Sequence, residues 1–130
     1  MRPVLLTYFA VAIGGAIGSL LRFTASLWLL DRLGAGFPWG TLGINVLGSF
    51  LMGVLFVAFT EHWQVSPAIR YGLVAGLLGG FTTFSTFSIE TLQLLQADAW
   101  LKATGYMLAS VFLCVGGAGL GYLMGRQWLG

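Results

Sequence analysis

The chain has 130 residues, of which 58% are hydrophobic and 8% charged, with a net charge of +2. A soluble domain carries about 25% charged residues, so this composition belongs to a membrane protein and excludes an ordinary soluble enzyme. The small positive charge comes with no basic cluster, which excludes a nucleic-acid partner.

In chain order, the first apolar run extends from Pro3 to Leu21, is interrupted by Arg22 and resumes to Leu30. Arg2 ahead of it and Ala10-Val11-Ala12 inside it imitate a signal peptide. The stretch before that site is short for an h-region, and apolar sequence continues well past it. A retained transmembrane helix over 4–30 is therefore expected, with Gly14, Gly15 and Gly18 giving a smooth face to a neighbour. Arg22 either snorkels to the interface or stands in a water-filled vestibule where it attracts anions.

A polar, Gly-rich connection from Asp31 to Gly40 leads to a second span over 41–60. Asn45 is its strongly polar residue. An amide in hydrocarbon must be hydrogen-bonded, so Asn45 is either interhelical glue or a donor to a pore. A second loop, Glu61 to Ala68, carries Pro67 where a helix can start. The third span is expected over 69–89, with Glu90 just past its uncharged run, and the fourth over 103–125. Gly117, Gly121 and Gly125 in the fourth are spaced by four, a helix-packing signal. Tyr106 and Ser110 lie one turn apart on one of its faces. Trp28, Trp39, Trp63, Trp100 and Trp128 fall at or beyond segment ends, as an aromatic belt does. The reading is one all-α integral membrane domain, residues 1–130, with four transmembrane helices.

With the N-terminus on the cytoplasmic side, Arg2, Arg70 and Arg126 face Arg22, Arg32 and Lys102 across the membrane. Three against three leaves the positive-inside rule nothing to act on, so the chain can insert both ways up. Four short helices are also few to enclose a pathway, and an oligomer is expected.

The unusual stretch lies in the third span: Gly79-Gly80-Phe81-Thr82-Thr83-Phe84-Ser85-Thr86-Phe87-Ser88. Adjacent glycines are poor helix formers, and a break there is expected at Gly79-Gly80, provided the freed backbone groups find partners that lipid does not offer. Phe81, Phe84 and Phe87 form one row at a spacing of three, and Thr82 with Ser85 and Thr83 with Thr86 form two more. At about 100° per residue, rings fan over one side and hydroxyls over the other. The plain alternative is that the rings pack or face lipid and the hydroxyls bond the carbonyl one turn back. Cys114 is the lone cysteine and His62 the lone histidine, so neither a disulfide within the chain nor a side-chain metal cluster is expected. No base or nucleophile constellation supports an enzyme.

Two functional classes remain. One is an ion channel walled by the ring and hydroxyl rows. The other is a small proton-coupled, dual-topology multidrug exporter, which needs a membrane-embedded carboxylate. Glu90, at the edge of a span, is the sole candidate for that, so the chemistry favours the channel.

The same stretch followed by Glu90 resembles the signature of the Fluc family of bacterial fluoride channels. The resemblance extends to the Gly-Gly…Gly…Arg22 pattern of the first helix and to Gly40-Thr41-Leu42…Asn45 in the second. It implies passive export of toxic fluoride across the bacterial plasma (inner) membrane by a multi-pass antiparallel homodimer with two pores. It further implies a third helix broken at the dimer centre, around a structural, untransported Na⁺ held by the backbone carbonyls of Gly79 and Thr82. By the same match, Phe84 and Phe87 line the pore with Asn45, Ser85, Thr86, Tyr106 and Ser110 as polar lining. Arg22 would belong to the vestibule.

Overall fold

The computed structural model describes residues 2–130; Met1 and the side chain of Arg2, one of the counted cations, lie outside the described residues. Among the described residues the chain is helical with no strand. Helix α1 is Arg2–Leu33. Helix α2 is Trp39–Val57 and continues as one wider turn over Ala58–His62, closed by the Trp63 N–H on the Ala58 carbonyl at 2.6 Å. Helix α3, residues 67–81, starts at Pro67 behind the N-cap Ser66, widens over Gly72–Leu78 and tightens again over Gly79–Phe81. Helices α4, Phe84–Gln96, and α5, Trp100–Leu129, complete the chain. Four spans, Pro3–Leu33, Trp39–His62, Pro67–Gln96 and Trp100–Leu129, are long and apolar enough to cross a bilayer. The protein is an all-α, multi-pass membrane protein.

Lipid supplies no hydrophobic drive between helices, so they associate by close approach of small residues. Two such seams build the fold. In the first, α1 lies on α3 with Gly14 and Gly18 against the backbone at Gly72 and Leu77. A Cβ at Gly76 would come within 2.8 Å of the Val11 carbonyl, and one at Gly80 within 2.7 Å of the Gly15 carbonyl. Gly72, Gly76 and Gly80 are thus a second four-residue repeat. In the other seam, α2 lies on α5, where Gly117, Gly121 and Gly125 meet Val46, Phe50 and Val54.

This second seam carries a direct test. A Cβ at Gly121 would run into the Phe50 carbonyl, whereas one at Gly119 meets nothing within 4 Å. Gly121→Ala is expected to cost about 1–3 kcal/mol through overpacking and to lower the unfolding temperature in detergent. Gly119→Ala should leave it unchanged. Equal melting of the two variants would mean that the seam is looser than described.

The third span does break, but beyond the glycine pair. Gly79 and Gly80 are helical, and the extended residues are Thr82 (φ −87°, ψ 157°) and Thr83 (φ −152°, ψ 119°). The smoothness of Gly80 is used for contact with α1, not for unwinding. The break is also where the span changes partners. Before it, α3 packs chiefly on α1; after it, α4 packs chiefly on α5. Tyr106 of α5 and Val57 of α2 are the large side chains buried completely. All five tryptophans are well exposed near helix ends, as interfacial residues are.

Candidate functional site

An extended residue between two helices has a backbone N–H and C=O with no helical partner, and each is costly to leave bare in hydrocarbon. At Thr83 the partner is Asn45 of α2. Its Oδ1 accepts from the Thr83 N–H at 2.8 Å, and its Nδ2 donates to the Thr83 carbonyl at 3.0 Å. One primary amide satisfies both groups as a neighbouring strand would. The methyl of Thr82 seats in the notch left by Gly48, one turn from Asn45. Together these fix the break at 82–83. On the α1 side, Arg22 Nε donates to the Gly80 carbonyl at 3.0 Å. Arg22 is therefore directed inward to the break rather than to a rim.

Thr83 also starts the next helix. Its Oγ1 accepts from the Thr86 N–H at 3.2 Å and donates to Thr86 Oγ1 at 3.0 Å, an N-cap. Ser85 Oγ lies 3.4 Å from the same oxygen. The amides of the first turn of α4 lack helical acceptors, and its dipole is positive at this end. Elsewhere the hydroxyl row behaves as the plain alternative holds. Thr82 bonds the Leu78 carbonyl one turn back, and beyond the rows Ser88 and Thr91 bond those of Phe84 and Phe87 in the same way.

The break opens on a cavity of about 420 Å³ whose wall includes Asn45, Thr83, Phe84, Phe87 and Ser110. The row of three phenylalanines is divided, because Phe81 precedes the break and packs by Gly48. Phe84 and Phe87 remain together, ring centroids 5.3 Å apart. Phe84 is 77% exposed and Phe87 half-buried. Phe87 in turn lies 5.0 Å from the Tyr106 ring. Beyond that pair a second cavity of about 390 Å³ is lined by Thr41, Thr86 and Glu90, among others. Tyr106, buried behind both walls, packs on Phe87 of the first, and its hydroxyl donates to Glu90 Oε1 of the second at 3.1 Å.

The structure thus brings Asn45, Phe84, Phe87 and Ser110 to one cavity and Thr86 to the next, while Tyr106 is fully buried behind Phe87 and lines neither. Ser85 is exposed and lines neither. Sequence reasoning noted three further residues without finding their roles. Thr83 has an N-cap signature, a threonine directly before the helical run. Glu90 looked like a span-edge acid, and nothing local pairs it with Tyr106, sixteen residues on. Thr41 stood in the Gly40-Thr41-Leu42 match with no role attached to it.

No cluster of His, Cys, Asp or Glu suited to a metal exists among the described residues. Backbone oxygen is another matter. The Thr83 N–H, which would close a turn on Gly79, goes to Asn45, and the Thr82 N–H goes to Leu78. The Thr86 N–H, which would reach Thr82, goes to the Thr83 side chain. The Gly79 and Thr82 carbonyls thereby lose their helical donors, and such oxygens suit a hard cation.

A family model described as "CrcB-like protein, Camphor Resistance (CrcB)" matches residues 9–122. A protein of Magnetococcus marinus named fluoride-specific ion channel FluC is 52% identical over 116 residues, 89% of this chain and 94% of its own length. Proteins of the same name from Thermus thermophilus and Hahella chejuensis are 49% and 44% identical, covering 95% and 89% of this chain and 96% and 91% of their own. A match running from residue 9, early in α1, to residue 122 in α5 takes in the first glycine seam, the second as far as Gly121, the break and the two cavities, and the chain belongs to the CrcB-like family.

Proposed function

We propose that this protein is a fluoride-selective ion channel that lets fluoride leave the cytoplasm passively. The observation that carries the reading is the cavity at the break, where anion-suited groups converge without a fixed carboxylate in its wall. Fluoride is small and strongly hydrated, so a pore must replace its water with close donors. The Asn45 amide keeps one N–H beyond its bond to Thr83, Ser110 adds a hydroxyl, and the start of α4 adds positive dipole. The edges of Phe84 and Phe87 carry partial positive charge and exclude water. A cation held by backbone, Arg22, stands close enough to draw an anion in without gripping it in the path. The names borne by the relatives support a channel, and nothing supports the multidrug exporter. Efflux of fluoride from liposomes holding the purified protein, with chloride as control, is the test. Equal passage of both ions, or of neither, would end this reading.

The working unit in this reading is an antiparallel homodimer in the bacterial inner membrane. The highly exposed Phe84 is then covered by a second copy or by lipid, and each pore is completed between subunits. With Arg22 turned inward, the loop cations are Arg2, Arg70 and Arg126 against Arg32 and Lys102, still close to balance. Insertion both ways up follows from that balance.

The freed Gly79 and Thr82 carbonyls fit a structural Na⁺, which would supply positive charge to backbone oxygens that lipid cannot solvate. Oxygen-only ligation suits a hard ion rather than a transition metal. Replacing Na⁺ on both sides of a reconstituted membrane with a bulky organic cation is expected to lower fluoride flux, and returning Na⁺ to restore it. Undiminished flux after thorough removal would assign those carbonyls to water or neighbouring hydroxyls instead.

A further inference from the structure

The α1–α2 connection, residues 34–38, roofs the second cavity. Gly34, at φ +77°, ends α1 with its N–H on the Leu30 carbonyl at 2.9 Å. Lys102, at the start of α5, donates from Nζ to the Gly36 carbonyl at 3.1 Å and ties the loop across the helix end. Phe37 hangs from this loop. Its ring meets Trp39 at 4.6 Å and stands nearly edge-on to Tyr106, at 5.4 Å and 79°. It lines the same cavity wall as Thr86 and Glu90. Rings 37, 106, 87 and 84 form a continuous chain from the α1–α2 connection to the break.

We infer that Phe37 is a positioning residue for ion passage, acting through Tyr106. The inference rests on the channel reading above. Tyr106 sits between two aromatic neighbours, Phe87 on one side and Phe37 on the other. Its hydroxyl donates to Glu90 at 3.1 Å and also meets the Thr41 side chain. With the Phe37 edge present, the phenol has one well-packed orientation, and in it the hydroxyl covers a carboxylate oxygen. Without that edge the ring gains freedom and the hydroxyl leaves Glu90 part of the time. A bare carboxylate beside Thr86 then repels an anion in the second cavity. A loop residue thereby sets how permeable the pathway is.

The test is fluoride efflux from liposomes for wild type, Phe37→Leu and Phe37→Tyr, each in a wild-type and a Tyr106→Phe background. An edge contact of this kind is worth up to about tenfold in population, so Phe37→Leu should lower efflux by about that factor, while Phe37→Tyr keeps most of it. In the Tyr106→Phe background, Phe37→Leu should have no further effect, because no hydroxyl is left to aim. The same cycle read as unfolding temperature gives the coupling should Tyr106→Phe conduct nothing. For Phe37→Leu protein that does not assemble, Lys102→Met frees the loop and keeps the ring, with a smaller loss that also vanishes on Tyr106→Phe. Full efflux from Phe37→Leu, or equal losses in both backgrounds, overturns the inference while the channel stands. A wild type that passes no fluoride overturns the channel reading and this inference with it.

Discussion

Asn45→Asp is expected to abolish fluoride efflux and to weaken the fold at the same time. The substitution keeps the oxygen that receives the Thr83 N–H but replaces the Nδ2 that donates to the Thr83 carbonyl. An unpaired buried acceptor costs about 1–3 kcal/mol. A carboxylate beside that carbonyl adds repulsion, and an ionised acid deep in a membrane helix costs about 2.5–3.5 kcal/mol. These costs weaken the fold, and the fixed negative charge at the cavity wall repels the permeating anion, so flux is lost for both reasons. Asn45→Gln retains both amide atoms on a longer stem and should keep part of the efflux, since it reaches one Thr83 group well but not both. Efflux electrodes and size-exclusion profiles on the same preparations separate conduction from assembly. Retained efflux in Asn45→Asp would mean that the break is held by something other than this amide.

The second large effect concerns the two rings at the cavity. Phe84→Ile and Phe87→Ile should each lose most fluoride flux, at least about tenfold, because an aliphatic group fills space without a positive edge. Their stability should differ. Phe84 is 77% exposed within its own subunit, where its ring partner is Phe87, so Phe84→Ile should lower the unfolding temperature less than Phe87→Ile does. Phe87 also packs on the fully buried Tyr106. Phe87→Ile therefore gives up two ring pairs, with Phe84 and with Tyr106, each worth about 0.5–1.5 kcal/mol. Unchanged flux in both variants would make these rings packing residues alone. Matching losses of stability would mean that Phe84 is covered in the working assembly, as a second subunit would cover it.

How well the chain could be read from its sequence depended on the range of the interaction concerned. The four spans, the packing face of Gly117, Gly121 and Gly125, and the tryptophans near helix ends were legible because each follows from lipid and helical periodicity alone. Charge is expelled from hydrocarbon wherever it lies in the chain, and residues four apart always share a face. The direction in which Asn45 would act was open, since an amide in lipid announces only that it has a partner. That partner is Thr83, 38 residues away, and no spacing rule connects them.

The position of the break is the clearest division between sequence and tertiary structure. Gly79 and Gly80 are the adjacent pair of poor helix formers in the span, yet they stay helical because Gly80 is spent on contact with the α1 backbone. The unwound pair is Thr82 and Thr83, where α2 offers the Gly48 notch and the Asn45 amide to replace the lost helical bonds. In lipid a helix opens where another helix can satisfy its backbone, not where its own propensity is weakest. The sequence by itself thus determined that this is a four-span membrane protein with a polar, ring-bearing stretch in its third span. Which residues of that stretch face a cavity, and that Glu90 meets Tyr106, was decided by helices that only the folded chain brings together.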